Sequence, residues 1–332
     1  SRASLRGLDI RTRASGIQLR GSHRSELVGN TIRPFAEDGE SMAGMDRSHN
    51  GIDAFESHDN LLEANDIAYM NDGIYLESSD RNVVRRNRVD HSRYGIHGMF
   101  SAGVVIAENV GEANTTGAMV MGVEGAEVVS NTFVKMSESV HSQGILLFEV
   151  HGSRIADNRV EGNRVGLYVE LSSGNEIRDN RIIRNFVGIQ LLESERNRLE
   201  GNDAIGNVVD VEATDSRNNR ITRNYWDAYR GIDSDGDGGG DFRYAIHPFF
   251  RKLVTETPAY QLFFHSPGMQ FLESMFASGQ ADWTFDDEPL MAPSNLYEQD
   301  RAAGAGGIAL AASSVMLIAS LMLLFYYGGR IR

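Results

Sequence analysis

The stretch GIYLESSDRNVVRRNRVDHSRY, residues 73–94, is one unit of a 22-residue repeat, and the next unit starts with GIHG at Gly95. Apolar residues alternate with other residues after each start, which is typical of short β-strands. The nine starts in the sequence are Gly16, Gly51, Gly73, Gly95, Gly117, Gly144, Gly166, Gly188 and Asp210. Tandem units of this length predict an all-β solenoid in which every unit forms one coil.

Two positions of the repeat never vary in character. A large aliphatic residue stands 11 residues after every start, and an asparagine stands 14 residues after it. The asparagines are Asn30, Asn65, Asn87, Asn109, Asn131, Asn158, Asn180, Asn202 and Asn224. Equivalent positions of successive coils stack about 4.8 Å apart, so we expect an aliphatic core column and a structural ladder of asparagine amides. Coils of 22 residues favour a right-handed parallel β-helix.

The repeat divides the chain into three predicted segments. Residues 1–241 form the β-helix of nine coils, which ends in a cation-binding turn, and residues 242–303 form a non-repeat capping and linking segment. Residues 304–329 form a transmembrane helix. Residues 4–15, SLRGLDIRTRAS, resemble the second half of an earlier coil, so we expect the numbering to start inside a longer precursor.

The C-terminal segment is the basis for a predicted membrane anchor. The sequence carries no charged residue from Ala302 to Gly329, and about 20 apolar residues span a bilayer core. Arg330 and Arg332 follow this stretch. The positive-inside rule then predicts a single-pass protein of the cell membrane with its bulk outside the cytoplasm and its C-terminus inside.

Composition excludes several classes of function and site. The 332 residues carry a net charge of −14, which disfavours nucleic acid as a partner. The chain has no cysteine, so disulfides and thiolate metal sites are excluded. Any site for a soft metal must therefore use methionine sulfur or histidine nitrogen.

Histidine and methionine meet in the predicted outward stripe of the first strand in each coil. The residues two and four places after each start point outward, so His97 stacks on Met119 and Met99 stacks on Met121. Thioethers and imidazole together suit Cu(I), and we predict that these four residues bind copper. Two alternatives stay open: the methionines pack beneath neighbouring loops, or they form a patch that binds a partner.

Two insertions and the equivalent segments of other coils contain further candidate residues near this stripe. The first coil has 13 extra residues and the fifth has five, both between the asparagine and the next start, so both loops emerge along one edge. The accessory residues are Met42, Met45 and His49 in the first loop, Met136 and His141 in the second, and His91 in the equivalent segment of an intervening coil. Met70 lies in the equivalent segment of another intervening coil. The outlying His23, His58 and His151 are interpreted as ordinary surface residues.

The ninth coil leads into an acidic turn. Asp233, Asp235, Asp237 and Asp241 lie around Gly238 in the pattern of the first half of a calcium loop. The distal bidentate glutamate of such a loop is replaced by Tyr244. The pattern favours a structural calcium ion that fastens the end of the solenoid, with an unliganded acidic turn as the alternative.

Several stretches together resemble the NosD family, the periplasmic maturation proteins of nitrous oxide reductase. They are RYGIHGMFS at 93–101, GAMVM at 117–121, GILLF at 144–148, NYWDAYRGIDSDGDGGGDFRY at 224–244, FFHSPGMQFLE at 263–273 and DDEPLMAP at 286–293. The resemblance implies a non-catalytic β-helix that helps to assemble the copper–sulfide centre of the reductase. It also implies an ABC transporter, ATPase and permease, as partner, together with the reductase or a copper chaperone. The transmembrane segment departs from the usual soluble member.

Two other functions remain as alternatives. Asp53, Tyr75 and His97 form one outward column, with Glu77 and Arg93 nearby, and this column suits a uronate epimerase or a polysaccharide lyase in which Tyr and His act as acid and base. The acidic chain disfavours a polyanionic substrate. The second alternative is a solenoid that binds a surface without metal or catalysis.

Overall fold

The computed structural model describes residues 2–35, 49–135, 142–246 and 284–294. These residues form β-strands, turns and bends, and no helix occurs among them. The chain divides into two compact units, residues 1–292 and 293–332. The first unit contains the whole described solenoid, and only Pro293 and Ser294 are described in the second.

The solenoid is built from short strands of two to six residues. In chain order they are β1 Ser4–Arg6, β2 Asp9–Thr12, β3 Ile17–Arg20, β4 Glu26–Val28, β5 Thr31–Pro34, β6 Ile52–Phe55, β7 Leu61–Glu63, β8 Asp66–Ala68, β9 Asp72–Glu77, β10 Val83–Arg85, β11 Arg88–Asp90, β12 Tyr94–Met99, β13 Val105–Ala107, β14 Val110–Glu112, β15 Thr116–Met121, β16 Glu127–Val129, β17 Thr132–Val134, β18 Gln143–Phe148, β19 Arg154–Ala156, β20 Arg159–Glu161, β21 Val165–Glu170, β22 Glu176–Arg178, β23 Arg181–Ile183, β24 Val187–Leu192, β25 Arg198–Glu200, β26 Asp203–Ile205, β27 Val209–Thr214, β28 Arg220–Thr222, β29 Tyr225–Trp226, β30 Tyr244–Ile246 and β31 Thr284–Asp286.

These strands form three sheets that wind together, and every strand pair is parallel except β30 with β31. Sheet A contains β1, β28, β30, β31 and every third strand between β1 and β28; sheet B contains every third strand from β2 to β29, and sheet C every third strand from β3 to β27. Each of the nine strands of sheet C begins one coil, and the winding is right-handed, so the predicted nine-coil, right-handed β-helix is confirmed. β1 and β2 pair with β4 and β5 as the predicted remainder of an earlier coil.

The two invariant columns of the repeat lie inside the solenoid. The aliphatic residues 11 places after each start are at most 2% exposed and belong to one continuous core. Each ladder asparagine donates through its amide nitrogen to the amide oxygen of the next, as in the 3.0 Å bond from Asn87 to Asn109. The same oxygen accepts the backbone N–H of Asn87 at 2.9 Å. Each buried amide is thus hydrogen-bonded to its neighbour, as buried polar groups require. The ladder therefore also fixes the register between successive coils.

The residue before each ladder asparagine makes the sharp turn from sheet A to sheet B. Its φ is positive in every coil, for example +56° at Arg86 and at Glu108. Only two of these residues are glycine, although a left-handed conformation costs other residues about 1–2 kcal/mol. The hydrogen bonds of the following asparagine hold the backbone in this turn, so the side chain before it is free to vary.

A distant segment closes the last coil. β31 adds to β28 in parallel and to β30 in antiparallel orientation. Asp286 lies opposite Ile221 and is fully buried, and its carboxylate takes the place of the next ladder amide oxygen. One of its carboxylate oxygens accepts the amide of Asn224 at 3.0 Å and the indole N–H of Trp226 at 2.9 Å. A carboxylate suits the end of the ladder because it brings no amide N–H that would require an acceptor further on.

The other predicted segments are described only in part. Residues 242–246 and 284–294 are the described part of the predicted capping and linking segment, whose boundaries stay a prediction. The predicted membrane span, 304–329, lies outside the described residues. Within the described ranges, no helix has the length and apolar character needed to cross a membrane.

Candidate functional site

The four candidate copper ligands lie in β12 and β15, adjacent strands of sheet C. His97 lies opposite Met119, and Met99 lies opposite Met121. They alternate with core residues such as Ile96, so their side chains point away from the core. The predicted outward direction holds for all four, but two of them are buried. His97 is 7% exposed and Met119 9%, whereas Met99 and Met121 are half-buried.

Two tyrosine rings enclose the imidazole of His97 and explain much of its burial. The ring centres of Tyr75 and Tyr94 each lie 5.0 Å from that of His97, one tilted and one edge-on. The Tyr75 hydroxyl donates a 2.8 Å hydrogen bond to Glu77. Desolvation, and then this bond, raise the pKa of Tyr75 well above its ordinary value. Its phenol therefore stays protonated at neutral pH and serves as a donor.

Asp72 orients His97 from below. Its carboxylate oxygen Oδ2 lies 2.9 Å from Nδ1 of His97, and both side chains are buried. The guanidinium of Arg93 donates to the other oxygen, with Nη2 2.8 Å away and Nε 3.0 Å away, and stacks on Tyr94 with 4.4 Å to the ring centre. Because Arg93 holds the carboxylate as an acceptor, Nδ1 of His97 carries the hydrogen, and the lone pair of a neutral ring is on Nε2.

Nε2 of His97 is the unsatisfied atom of this cluster. It is buried and has no hydrogen-bond partner. A buried polar atom without a partner is costly, and such atoms concentrate where a ligand or a reaction uses them. A histidine whose other nitrogen is bound to a carboxylate is the usual arrangement of a metal-binding imidazole, and it is also that of a general base.

Asp72 is absent from the site that the sequence predicts. It stands immediately before a repeat start, outside the outward positions two and four places after that start. It reaches His97 only because β9 and β12 are neighbours in sheet C, with Tyr94 directly above it. The sequence does contain a signal for Asp72. The position before each start holds an uncharged residue in the other coils, such as Thr116 and Val165, and an acidic residue only here.

The column that suits an enzyme is also assembled. Asp53, Tyr75 and His97 occupy adjacent positions of β6, β9 and β12. Asp53 is bound by Arg20, with 2.8 Å between Nη1 and Oδ1. Arg20 therefore engages the Asp53 carboxylate. The carboxylate that contacts His97 is that of Asp72.

An apolar strip lies beside the buried histidine. Met99, Met121 and Phe148 follow one another across sheet C, and Phe100 turns outward next to Met99. Phe100 is 55% exposed and has a φ of +50°. A bulky aromatic residue is uncommon in a left-handed, exposed position. This apolar strip therefore presents thioethers and an aromatic ring at the surface.

The accessory residues are only partly described. The strands that flank each insertion belong to sheet B and sheet C, so the two insertions start and end at equivalent points of their coils. His49 is exposed in the first loop, and His91 is half-buried, its ring stacked on Tyr69 with 4.7 Å between centres. Met70, in the equivalent segment of another coil, is 3% exposed and part of the core. The residues that lie outside the described ranges are Met42, Met45, Met136 and His141.

The acidic turn brings together three of its four predicted ligands. Carboxylate oxygens of Asp233, Asp235 and Asp237 all lie within 4.8 Å of one another. Asp241 is not in this group; it accepts the backbone N–H of Ser234 at 3.0 Å. Desolvation opposes ionisation of Asp233, but backbone N–H donors, Gly238 first, outweigh it and lower the pKa. The turn is chemically suited to one hard cation.

This acidic turn is attached to the closing segment. The backbone N–H of Gly240 donates to Pro289 at 2.8 Å, and that of Met291 donates to Gly238 at 3.0 Å. Gly238 has a φ of +84°, which favours glycine there. The same turn therefore carries the acidic group and the contact that holds the last coil closed.

Solved structures similar to this chain include alginate and mannuronan epimerases. Two variants of the periplasmic alginate epimerase AlgG match with 19% and 18% identity and TM-scores of 0.46 and 0.47, over 64% and 71% of this chain. The chain spans 50% and 59% of their length. The A-module of mannuronan C-5 epimerase AlgE4 from Azotobacter vinelandii matches with 14% identity and a TM-score of 0.45, over 67% of this chain and 75% of that module. Similarity at this level carries no argument about activity.

No curated protein matches the chain significantly. The model of the family described as periplasmic copper-binding protein (NosD) matches residues 35–231. The matched range contains His97, Met119 and the rest of the candidate copper cluster, and it extends to the start of the acidic turn. The chain therefore belongs to the NosD family of periplasmic copper-binding proteins.

Proposed function

We propose that this protein is a non-catalytic extracytoplasmic accessory that handles copper during assembly of the copper–sulfide site of nitrous oxide reductase. It works with an ABC transporter, whose ATPase and permease supply energy and a path through the membrane. Copper is its cargo, received and passed on.

One observation carries this proposal: Nε2 of His97 is buried, has no partner and belongs to a ring that Asp72 orients. A neutral imidazole of this kind offers a lone pair at a fixed position. Met119 occupies the adjacent position of the next strand. Imidazole and thioether together form a ligand set that selects Cu(I) over hard cations.

Met99 and Met121 extend this ligand set toward the surface. They are half-buried, whereas His97 and Met119 are buried. A graded series of thioethers allows an ion to move by exchanging one ligand for another, as cargo transfer requires. The apolar strip with Phe100 is where a copper chaperone or the reductase docks, since exposed apolar patches mark interfaces.

The remaining segments anchor and close the solenoid. The apolar stretch 304–329 crosses the cell membrane once, with the C-terminus in the cytoplasm, and holds the solenoid beside the transporter. Asp233, Asp235 and Asp237 bind one calcium ion that stabilises the contact between the acidic turn and the closing segment.

Competition for Cu(I) against a chromophoric chelator tests the copper proposal. Replacement of Met99, Met119 and Met121 by leucine is expected to weaken Cu(I) binding by at least about tenfold, because leucine keeps the volume and removes the sulfur. Met70→Leu is the matched control, since Met70 is buried in the core. Equal affinity of the triple variant and the control would contradict the proposal.

A second function is favoured by the same histidine. Oriented by Asp72, Nε2 of His97 is a candidate general base, and the protonated phenol of Tyr75 is a candidate general acid on the same column. Arg93 would then lie near a substrate carboxylate. The reaction class is proton abstraction from a uronate, as in an epimerase or a lyase.

Turnover separates the two functions. If the protein is an enzyme, the wild-type chain will epimerise or cleave poly-uronate, and Tyr75→Phe will abolish that activity. Tyr75→Phe leaves the proposed copper ligands in place, so Cu(I) affinity is expected to change less than twofold. Activity without Cu(I) binding would replace the copper proposal by the enzymatic one.

A further inference from the structure

A groove of 570 Å³ follows the turn from sheet C to sheet A, from the remainder of the earlier coil to coil three. It is lined by Arg2, His23, Arg24, His58, Asp59 and Arg81. Arg2 and Arg24 are 22 residues apart and equivalent in the repeat, as are Arg24, Asp59 and Arg81 in successive coils. Five of the six lining residues are basic or histidine, in a chain whose net charge is −14. Charge of one sign concentrated in a concave surface focuses the local potential.

The two histidines of this groove form one stacked pair. Their rings are 5.1 Å apart and nearly parallel, at 10°. Nδ1 of His23 accepts the backbone N–H of His58 at 3.1 Å, and Nδ1 of His58 accepts that of Asp80 at 2.9 Å. These bonds place the ring hydrogen of each imidazole on Nε2. The two rings are therefore held in place with an N–H donor at Nε2 of each.

This tautomer decides which ligand the pair can bind. His97 is held as a donor at Nδ1 and offers a lone pair, whereas His23 and His58 are held as acceptors at Nδ1 and offer N–H groups. N–H edges do not ligate a metal ion. Two aligned N–H donors instead match an anion with several oxygens.

Arg24 supplies charge to the same groove. Asp59 is engaged by Arg81, with 2.7 Å between Oδ1 and Nε, and Glu26 is engaged by Arg2 at 3.3 Å. Among the described residues, no carboxylate forms an ion pair with the guanidinium of Arg24. An arginine fork beside imidazole donors is the arrangement that binds phosphate oxygens.

We propose that this groove binds a phosphate group. The site is separate from the candidate copper ligands, because it lies at the turn from sheet C to sheet A, whereas those ligands lie within the strands of sheet C. The groove is larger than one phosphate ion, so it has room for free inorganic phosphate or for the phosphate headgroup of a lipid. Arg24 is the central ligand, and the Nε2–H groups of His23 and His58 donate to the remaining oxygens.

Titration of the full chain, labelled with ¹⁵N-histidine, tests the site. Inorganic phosphate and the soluble diester glycerophosphoglycerol are the two probes, and acetate is the comparison. Saturable shifts of the His23 and His58 ring resonances are expected, with no shift at His151, which occupies the equivalent turn position outside the groove. Tighter binding of the diester indicates a lipid headgroup, and tighter binding of inorganic phosphate indicates the free ion.

Arg24→Gln is the decisive variant. It is expected to weaken phosphate binding by about tenfold or more, because a charged hydrogen bond is lost. Arg196→Gln is the matched control, since Arg196 holds the equivalent turn position and pairs with Glu195. Unchanged ring resonances in the free variant show that the stack is intact. The proposal fails if neither probe saturates, if acetate binds as tightly, or if both variants bind equally.

Discussion

The carboxylate of Asp72 accepts a 2.9 Å hydrogen bond from Nδ1 of His97 across two strands of sheet C. The bond fixes which nitrogen of the ring is available, so a buried acid of one coil determines the chemistry of a histidine in the next. The same solenoid holds His23 and His58 in the opposite tautomer through backbone donors. His97 thus offers a lone pair at Nε2, whereas His23 and His58 offer N–H donors.

Replacement of Asp72 by asparagine should weaken Cu(I) binding by about 10- to 100-fold, the usual effect of losing a carboxylate behind a metal-binding histidine. The reason is that an amide no longer enforces hydrogen on Nδ1. Chelator competition measures the affinity, and ¹⁵N shifts of the His97 ring measure the tautomer. Asp90→Asn is the control, because Asp90 is also buried but pairs with Arg88 in sheet B. Wild-type affinity in Asp72→Asn would remove Asp72 from the site.

The asparagine ladder should be costly to interrupt. Asn109→Ala leaves the backbone N–H and the amide of Asn87 without their shared acceptor in the core. We expect the free energy of unfolding to fall by about 2–5 kcal/mol. Asn71→Ala, at a half-buried position outside the ladder, should cost less than about 1 kcal/mol. Denaturant titration followed by circular dichroism compares them, and similar losses in both variants would show that the ladder is not a main source of stability.

Stability should decrease as the pH rises from about 4 to about 7. Desolvation raises the pKa of Asp210 to about 7, against hydrogen bonds from Ala228 and Asn207 that act in the other direction. Between the unfolded and the folded pKa the native state keeps a proton that the unfolded chain has lost, so the free energy of unfolding falls with pH. The total loss is up to about 4 kcal/mol. Asp210→Asn should flatten this dependence in denaturant titrations at pH 4, 5.5 and 7, and an unchanged slope would assign it elsewhere.

Calcium should stabilise the closed end of the solenoid. At a calcium concentration about 100-fold above Kd, binding adds about 2.7 kcal/mol, which corresponds to a rise in Tm of several degrees. Asp235→Asn or Asp237→Asn should abolish the rise, whereas Asp241→Asn should keep it, because Asp241 is turned toward Ser234. Differential scanning calorimetry with calcium or with a chelator makes the comparison. A rise that survives Asp237→Asn would place the ion elsewhere.

The sequence by itself determined the solenoid, because the period of 22 residues specifies which strands become neighbours and therefore which side chains share a column. The Leu62, Asn87 and His97 columns follow from counting alone, and so do the His97–Met119 and Met99–Met121 pairs. Counting compares equivalent positions only. The contact of Asp72 with His97 joins different positions of neighbouring coils, and that of Asn224 with Asp286 joins residues 62 apart. Such contacts depend on how side chains turn and pack in three dimensions, and for this reason only the tertiary structure decided the burial of His97, its tautomer and the residue that ends the ladder.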